Sequence, residues 1–500
     1  MQKPNVFLVG AGPGDPGLIT VRGLELVRRA DVLVYDQLGT AAFVTQARPD
    51  CELYDVGKFA GLHKVSQDNI NALLAEKAAE NKLVVRLKGG DPFIFGRGGE
   101  EMLYLIERGH QVEVVPGVTS AISAPCYAGI PITQRGFTAS LAIVTGHEAA
   151  KEGSDINWNA LAGIGTVVFL MGVKNLPEIC QNLIAAGRDA NTPVAMIENG
   201  TLPIQRTVTG TLSTIVEIAA TEGVQPPAVT VVGDVVSLRQ QLAWFEKRPL
   251  FGRRIAVTRS RLQASELVSS LQTLGAQVIE CPTIKIVQHQ CSEAFSNFLS
   301  RSDRFEYLIF TSVNGVTGFI EALREHNLDL RFLGGKRVVC IGPATAAAFA
   351  ERGITPDFVP ETYVAEALLP YFERLPSCGI ALLRAERARD ILPESLQKIG
   401  HRAEVVPIYH TEYEKPDRNE IVNALNERRI DLITFSSSST AEGLASLLEG
   451  SGIDHATIPA AVIGPITAAT CRKLGFTIKV EAGEFTIPGL IDAMTSYFSD

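Results

Sequence analysis

The 500-residue sequence predicts an α/β protein built from several domains, and three observations carry that reading. Runs rich in Val, Ile and Leu alternate with helical periodicity from one end to the other, the pattern of strands covered by helices. Four glycine-rich loops in the first half each follow such an apolar run: Gly10–Gly17, Lys88–Glu101, Pro116–Ser120 and Met171–Gly172. In the second half a set of landmarks occurs twice in the same order. Length alone asks for roughly two to four domains, because one core stops growing well below this size.

The first element is a strand over Val6–Val9, leading through a glycine loop into a helical pattern with Leu24, Val27 and Arg28. Gly12, Gly14 and Gly17 spell G-x-G-x-x-G. Asp36 closes the next apolar run, Val32–Tyr35, where a dinucleotide fold puts its ribose-binding acid. A nicotinamide dehydrogenase is therefore one reading. Pro13 and Pro16 argue against it, since proline has no N–H and a pyrophosphate cradle works by aiming N–H groups at anionic oxygens. The strand Val112–Val115 comes next, and strands at Thr166–Met171, Pro193–Ile197 and Ala228–Val232 form a second layer. The first half thus divides into subdomains of about 115 residues, 1–115 and 116–240. Strand ends collect at one edge of an open α/β sheet, so the four loops are expected to converge on one crevice. Glycine there lets backbone approach the ligand.

The alternation loosens over Ser237–Gly252, and 241–252 reads as a linker ending in turn formers before Arg254–Arg259 opens a new strand. Beyond it, Ile341-Gly-Pro-Ala-Thr-Ala-Ala347 returns 122 residues on as Ile463-Gly-Pro-Ile-Thr-Ala-Ala469. Leu308–Ser312 returns as Leu432–Ser436 at 124, and Val257–Arg259 and Pro282 have counterparts in Leu382–Arg384 and Pro407 at 125. The period is too long for a solenoid. It implies two similar α/β domains with a cleft between them suited to a large ligand.

Composition narrows the function classes. A net charge of −9 gives no support to nucleic-acid binding. No apolar stretch reaches the eighteen or so residues of a membrane span, and Met1–Asn5 runs into the first strand without a signal-peptide core. The eight cysteines are scattered without a C-x-x-C pair, so reduced thiols, a cytoplasmic location and no zinc site are expected.

Val9–Gly23, Gly89–Phe93 with Gly96–Glu100, and Val115–Thr119 through Gly129–Thr133 together resemble the uroporphyrinogen-III C-methyltransferases, of the tetrapyrrole methyltransferase family. The resemblance spans roughly residues 4–240. It implies S-adenosylmethionine (SAM) as cofactor, uroporphyrinogen III as substrate, two methyl transfers to give precorrin-2, and a homodimer. The family's cofactor positions fall on Pro13, Gly89, Gly90, Asp91, Ile94, Thr119, Ser120, Met171 and Gly200. A ligand made of neutral adenosine and a zwitterionic amino acid wants carbonyls, hydroxyls and one carboxylate, which suits a loop containing Pro13. Met171 offers a polarizable contact for adenine. The family's acid–base pair falls on Asp36 and Lys58, and Gln134 stands where the family usually has histidine. Because the implied substrate bears eight carboxylates, Arg22, Arg97 and Arg135 in the matched loops are its candidate guanidinium partners.

Residues 253–500 resemble the uroporphyrinogen-III synthases through Val257–Arg259, Phe310–Ser312, Ile341–Thr345, Ile408–Thr411, Phe435–Ser438 and Ile463–Thr467. That family implies two domains, 253–286 with 408–500 and 287–407. It also implies ring closure of hydroxymethylbilane with inversion of the last pyrrole, through loss of water and a cationic azafulvene, without metal or cofactor. Tyr409 is the candidate for assisting the departing hydroxyl. Thr345 and Thr467 sit at helix starts, where a helix cap and a catalytic role are alternatives, and Ser436–Ser439 equally reads as a polar strand–helix turn. The expectation is a bifunctional enzyme acting on small-molecule tetrapyrroles. The alternatives are an active methyltransferase joined to a silent tetrapyrrole-binding half and, more remotely, an NAD-dependent dehydrogenase.

Overall fold

The computed structural model describes residues 4–57, 65–151, 154–259, 261–289, 292–362, 365–388, 390–414, 418–427 and 429–499. The chain forms two compact units, Met1–Arg253 with Leu274–Gln277, and Arg254–Thr273 with Val278–Asp500.

The first unit opens with a parallel sheet of β1 (Val6–Gly10), β2 (Val32–Tyr35), β3 (Glu52–Asp55), β4 (Val84–Lys88) and β5 (Val112–Val115), in the order β3-β2-β4-β1-β5. Central parallel strands are covered on both faces and need continuous apolar runs. Accordingly β1 and β4 are buried at every residue, while the edge strand β3 alternates. The chain leaves β1 toward β2 on one side and leaves β4 toward β5 on the other. That makes the gap between β1 and β4 the topological switch point, where ligands of such sheets bind.

A second sheet holds β6 (Leu141–Thr145), β7 (Thr166–Leu170), β8 (Pro193–Glu198), β9 (Arg206–Thr211) and β10 (Ala228–Val232), in the order β6-β7-β10-β8-β9. Only β6–β7 is a parallel pair. The helix Ser120–Tyr127 fills its core through Ala121 and Ala124, against Val168, Ala195 and Ile197. The stretch 241–252 is not an open linker. Trp244 and Phe245 set their rings 5.1 and 4.7 Å from Tyr127, and Phe245 and Leu250 are buried. Their apolar area folds the segment onto the first unit.

In the second unit one sheet contains β11 (Arg254–Val257), β12 (Gln277–Glu280), β18 (Leu432–Phe435), β19 (Pro459–Val462) and β20 (Thr477–Glu481). The other contains β13 (Ile284–Gln288), β14 (Tyr307–Phe310), β15 (Arg337–Cys340), β16 (Gly379–Ala385) and β17 (Arg402–Tyr413). Their orders, β12-β11-β18-β19-β20 and β13-β17-β16-β14-β15, superimpose when β11, β12, β18 and β19 are matched to β16, β17, β14 and β15. The isolated parallel bridge Val339–Phe358 stands in the place of β20. The sequence repeat is thus a permuted pair: the chain starts one sheet, builds all of the other, and returns. The return falls at 281–283 and 414, where the Glu414 N–H donates to the Thr283 carbonyl at 3.0 Å, rather than at 286/287 and 407/408. The cause is β17, whose first half pairs parallel with β16 and whose second half pairs antiparallel with β13, so both strands stay with the second sheet.

Candidate functional site

Three of the four glycine loops meet above the switch point. Gly12 and Gly90 form an antiparallel bridge, with N–H···O distances of 3.2 and 2.7 Å, and the Ala11 N–H donates to the Lys88 carbonyl at 2.8 Å. A Cβ on Gly10 would lie 2.5 Å from Gly117 Cα, and one on Gly117 would overlap the Gly90 carbonyl oxygen. Asp91 fastens the same junction, accepting the Phe93 N–H at 2.8 Å on Oδ1 and the Gly117 N–H at 3.0 Å on Oδ2. These glycines are therefore required first by loop-on-loop packing, whereas the sequence assigned them to ligand approach. Gly90 is the exception, with φ +68° and only Thr119 Cα and the Ser120 nitrogen near the place of a Cβ.

The first loop spends its amides internally. The Asp15 N–H donates to Thr201 Oγ1 at 3.1 Å, the Gly17 N–H to Asp15 Oδ1 at 2.8 Å and the Leu18 N–H to the Asp15 carbonyl at 3.0 Å. With Pro13 and Pro16 contributing none, the G-x-G-x-x-G loop is not a phosphate nest. Tyr127 donates its hydroxyl to Asp15 Oδ2 at 2.7 Å, tying this loop to the helix capped by Thr119, which accepts the Ala121 N–H. Burial, followed by the bond to Asp15, pushes the Tyr127 phenol up. A Cβ on Gly200 would overlap Ala124, so the loop after β8 also rests on that helix. Met171 follows Leu170, which shares a core with Ala121 and Ala124.

Left-handed backbone at non-glycine residues gathers in these loops: Phe95, Arg97, Met171, Asn199 and Thr201 all have φ between +50° and +74°. For β-branched Thr201 this is a strained state, of the kind that collects at ligand sites. Exposed apolar side chains lie alongside, namely Leu38, Phe93, Ile94, Phe95 and Met171, the last 55% exposed. Polar backbone, few amide donors and apolar side chains suit an adenosine and an amino acid better than a pyrophosphate.

At the end of β2, Asp36 Oδ1 accepts from Arg86 Nη2 at 2.6 Å. Oδ2 has no partner among the described residues, and the carboxylate is about one-third exposed. Behind it the Arg86 guanidinium, 2% exposed, continues through Nε to Glu101 Oε1 at 3.3 Å, and Lys88 Nζ reaches the same oxygen at 2.8 Å. Burial, and then the Arg86 charge, push the Lys88 ammonium down. The sequence reading missed this cluster, although Arg86 and Lys88 inside a buried strand were its visible signal. Lys58 lies outside the described residues. Arg97 holds Glu100 through two bonds of 2.9 and 2.7 Å, Arg22 pairs with Glu113, and exposed Arg135 has no ion pair among the described residues.

In the second unit Tyr409 is 7% exposed, packed in the core around Phe310 with its hydroxyl 3.0 Å from Ser312 Oγ. Its side chain belongs to that core, and its hydroxyl meets Ser312 there. Thr345 and Thr467 are also buried, at the third positions of the helices Pro343–Ala350 and Pro465–Lys473. Those helices begin at Gly342 and Gly464 without a side-chain cap. Ser312 and Ser437, by contrast, cap their helices at equivalent points of the repeat, so Ser436–Ser439 is a capped turn. The helices that follow Gly342 and Gly464 thus start, at equivalent points of the two sheets, with N-termini open to an anionic group.

Comparison with known proteins agrees with this division. The profile of the Tetrapyrrole (Corrin/Porphyrin) Methylases matches residues 5–216, and that of uroporphyrinogen-III synthase HemD matches residues 265–492. The chain is 39% identical to the porphyrin biosynthesis protein HemD of Ruminiclostridium josui over 99% of its length and 98% of that protein. It is 48% identical to the uroporphyrinogen-III C-methyltransferase of Priestia megaterium, over 46% of this chain and 98% of that one. A crystal structure of the Thermus thermophilus uroporphyrin-III C-methyltransferase complexed with S-adenosyl homocysteine is 40% identical, covering 47% of this chain and 99% of that one with a TM-score of 0.40. The chain belongs to the family of porphyrin biosynthesis proteins that join a tetrapyrrole methylase domain to a uroporphyrinogen-III synthase domain.

Proposed function

We propose that this chain closes hydroxymethylbilane to uroporphyrinogen III in its second unit and methylates that product twice in its first, giving precorrin-2. The observation that carries the methyltransferase half is the junction of the Gly10, Gly90 and Gly117 loops at the switch point, with Asp36 beside it. SAM, when bound, supplies an electrophilic methyl group. The residues proposed to hold it are Pro13, Gly89, Gly90, Asp91, Ile94, Thr119, Ser120, Met171 and Gly200.

The chain's own part is alignment, exclusion of water and proton removal. Exposed Leu38, Phe93, Ile94 and Phe95 supply an apolar cover for a macrocycle. Methylation of a pyrrole carbon leaves a proton to be lost, and Asp36 Oδ2 is assigned to take it, a reading supported by Arg86 fixing Oδ1. Lys58 is retained as its partner on the family resemblance. Arg22, Arg97 and Arg135 are assigned to substrate carboxylates, and Arg135 is the one with no ion pair to give up among the described residues.

In the synthase unit, the uncapped helix starts at Gly342 and Gly464, with Thr345 and Thr467 just inside them, are assigned to the substrate carboxylates. Tyr409 acts there by holding Ser312 in place, not by touching the leaving hydroxyl. A cytoplasmic homodimer completes the reading. No described helix is long and apolar enough to cross a membrane, and Leu103 and Ile106 stand exposed on one helix. Titration with SAM and with NAD is the first test: SAM saturates the chain and NAD does not. Binding of NAD without SAM would overturn the assignment.

A further inference from the structure

Three strand ends meet in the second unit at a point that the proposed ring closure does not use. His289 follows the end of β13 and donates its N–H to the Ile408 carbonyl of β17 at 3.1 Å. Glu386 follows the end of β16 and donates its N–H to the Tyr409 carbonyl at 2.9 Å. His410 lies on β17 itself, one residue past Tyr409, and so on the opposite face of the strand from that core side chain. The backbone therefore delivers two imidazoles and a carboxylate to one spot, beside the register shift between Arg384 and Ala385.

The side chains complete the arrangement. One donor atom from each of His289, Glu386 and His410 lies within 4.8 Å of the others. The two rings stand 5.0 Å apart, and His289 Nε2 is 3.6 Å from a Glu386 oxygen, beyond hydrogen-bond reach. His289 Nε2 and His410 Nδ1 are both shut off from solvent and have no hydrogen-bond partner among the described residues. Buried nitrogens are normally paired, and two unpaired ones in a cluster that includes a carboxylate need a reason. His410 supplies a second clue. Its other nitrogen, Nε2, meets Glu412 Oε1 at 3.0 Å, so the ring can donate Nε2–H outward and turn a basic Nδ1 inward. A carboxylate behind a ligating imidazole is the usual way metal sites fix the tautomer and strengthen the donor.

We propose that His289, His410 and Glu386 form a binding site for a divalent ion of the zinc class, with Glu412 as the residue that orients His410. Two neutral imidazoles and one carboxylate are a zinc donor set that leaves a fourth position for water. At bond lengths near 2.0–2.1 Å the donors of a tetrahedral site stand about 3.4 Å apart, so loading draws no edge in by more than about 1.4 Å. The ion would staple the ends of β13 and β16 to β17. It is distinct from the proposed chemistry and stands whether or not that reading does. Scanning the sequence for cysteine pairs could not find it, because its ligands are spread over 121 residues (289 to 410).

The full chain, freed of metal by chelation, is titrated with Zn²⁺ by calorimetry and with Co²⁺ by visible absorption. The site predicts one ion per chain, a spectrum without thiolate bands, and a rise in Tm with excess Zn²⁺. His289→Ala and His410→Ala each weaken binding at least about 100-fold and abolish the Tm rise. Glu412→Gln weakens it about 10- to 100-fold. Should an alanine variant fail to fold, Glu412→Gln, which alters an exposed side chain, carries the test. Unchanged stoichiometry and affinity in the His289→Ala/His410→Ala double variant, or thiolate bands in the Co²⁺ spectrum, would overturn the proposal.

Discussion

Asp36 and Glu101 are both carboxylates joined to Arg86, yet their surroundings give them different work. Asp36 is one-third exposed, its Oδ2 has no partner among the described residues, and it stands at the carboxyl edge of β2. Asp36→Asn keeps an acceptor for Arg86 and removes the base. The expected result is a fall in methylation rate of about 10²- to 10⁴-fold with SAM affinity kept. A variant that methylates at the parent rate would remove Asp36 from the mechanism. Glu101 is fully buried between Arg86 and Lys88, and both cations depend on its Oε1. Glu101→Gln leaves two desolvated cations facing each other with only Asp36 as counter-charge. It is expected to cost about 3–5 kcal/mol in urea unfolding. A loss under about 1 kcal/mol would mean that the cluster is hydrated.

The glycine loops allow a sharper test among the elements. A Cβ on Gly117 collides with the backbone of Gly90 and Gly10, which has no flexible end to move aside, whereas one on Gly99 meets nothing within 4 Å. Gly117→Ala is therefore expected to cost more than about 2 kcal/mol and to lose SAM binding together with stability. Gly99→Ala, inside the helix Gly98–Glu107, is expected to gain up to about 1 kcal/mol and leave binding unchanged. Thermal unfolding with and without SAM reads both, and equal effects would contradict the junction. Where the loops fall was legible in the sequence, because buried parallel strands need apolar runs and the glycines follow them. Why Gly10 and Gly117 must be glycine was not, since the reason is a contact between segments 107 residues apart (10 to 117). Likewise Arg86 and Lys88 stand out in β4, but their partner Glu101 belongs to a helix and its burial depends on packing. The 241–252 segment misled through its turn formers, when its Trp244 and Phe245 were the better guide.

Across the whole molecule the sequence repeat carried the architecture, and the strand orders of the two later sheets match once the permutation is allowed. The point of exchange was not legible, because it depends on β17 pairing with β16 and β13 along different halves of one strand. The same pairing brings His289, His410 and Glu386 together. Tyr409 also belongs to this scale: the motif around it was visible, but its hydroxyl is spent on Ser312 inside a core. Whether one chain performs two successive steps is read directly from its products. Purified protein is supplied with hydroxymethylbilane, with and without SAM. Uroporphyrinogen III alone is expected without SAM, and its dimethylated derivative with SAM. Only the type I isomer without SAM, or no methylated product from supplied uroporphyrinogen III with SAM, would contradict it.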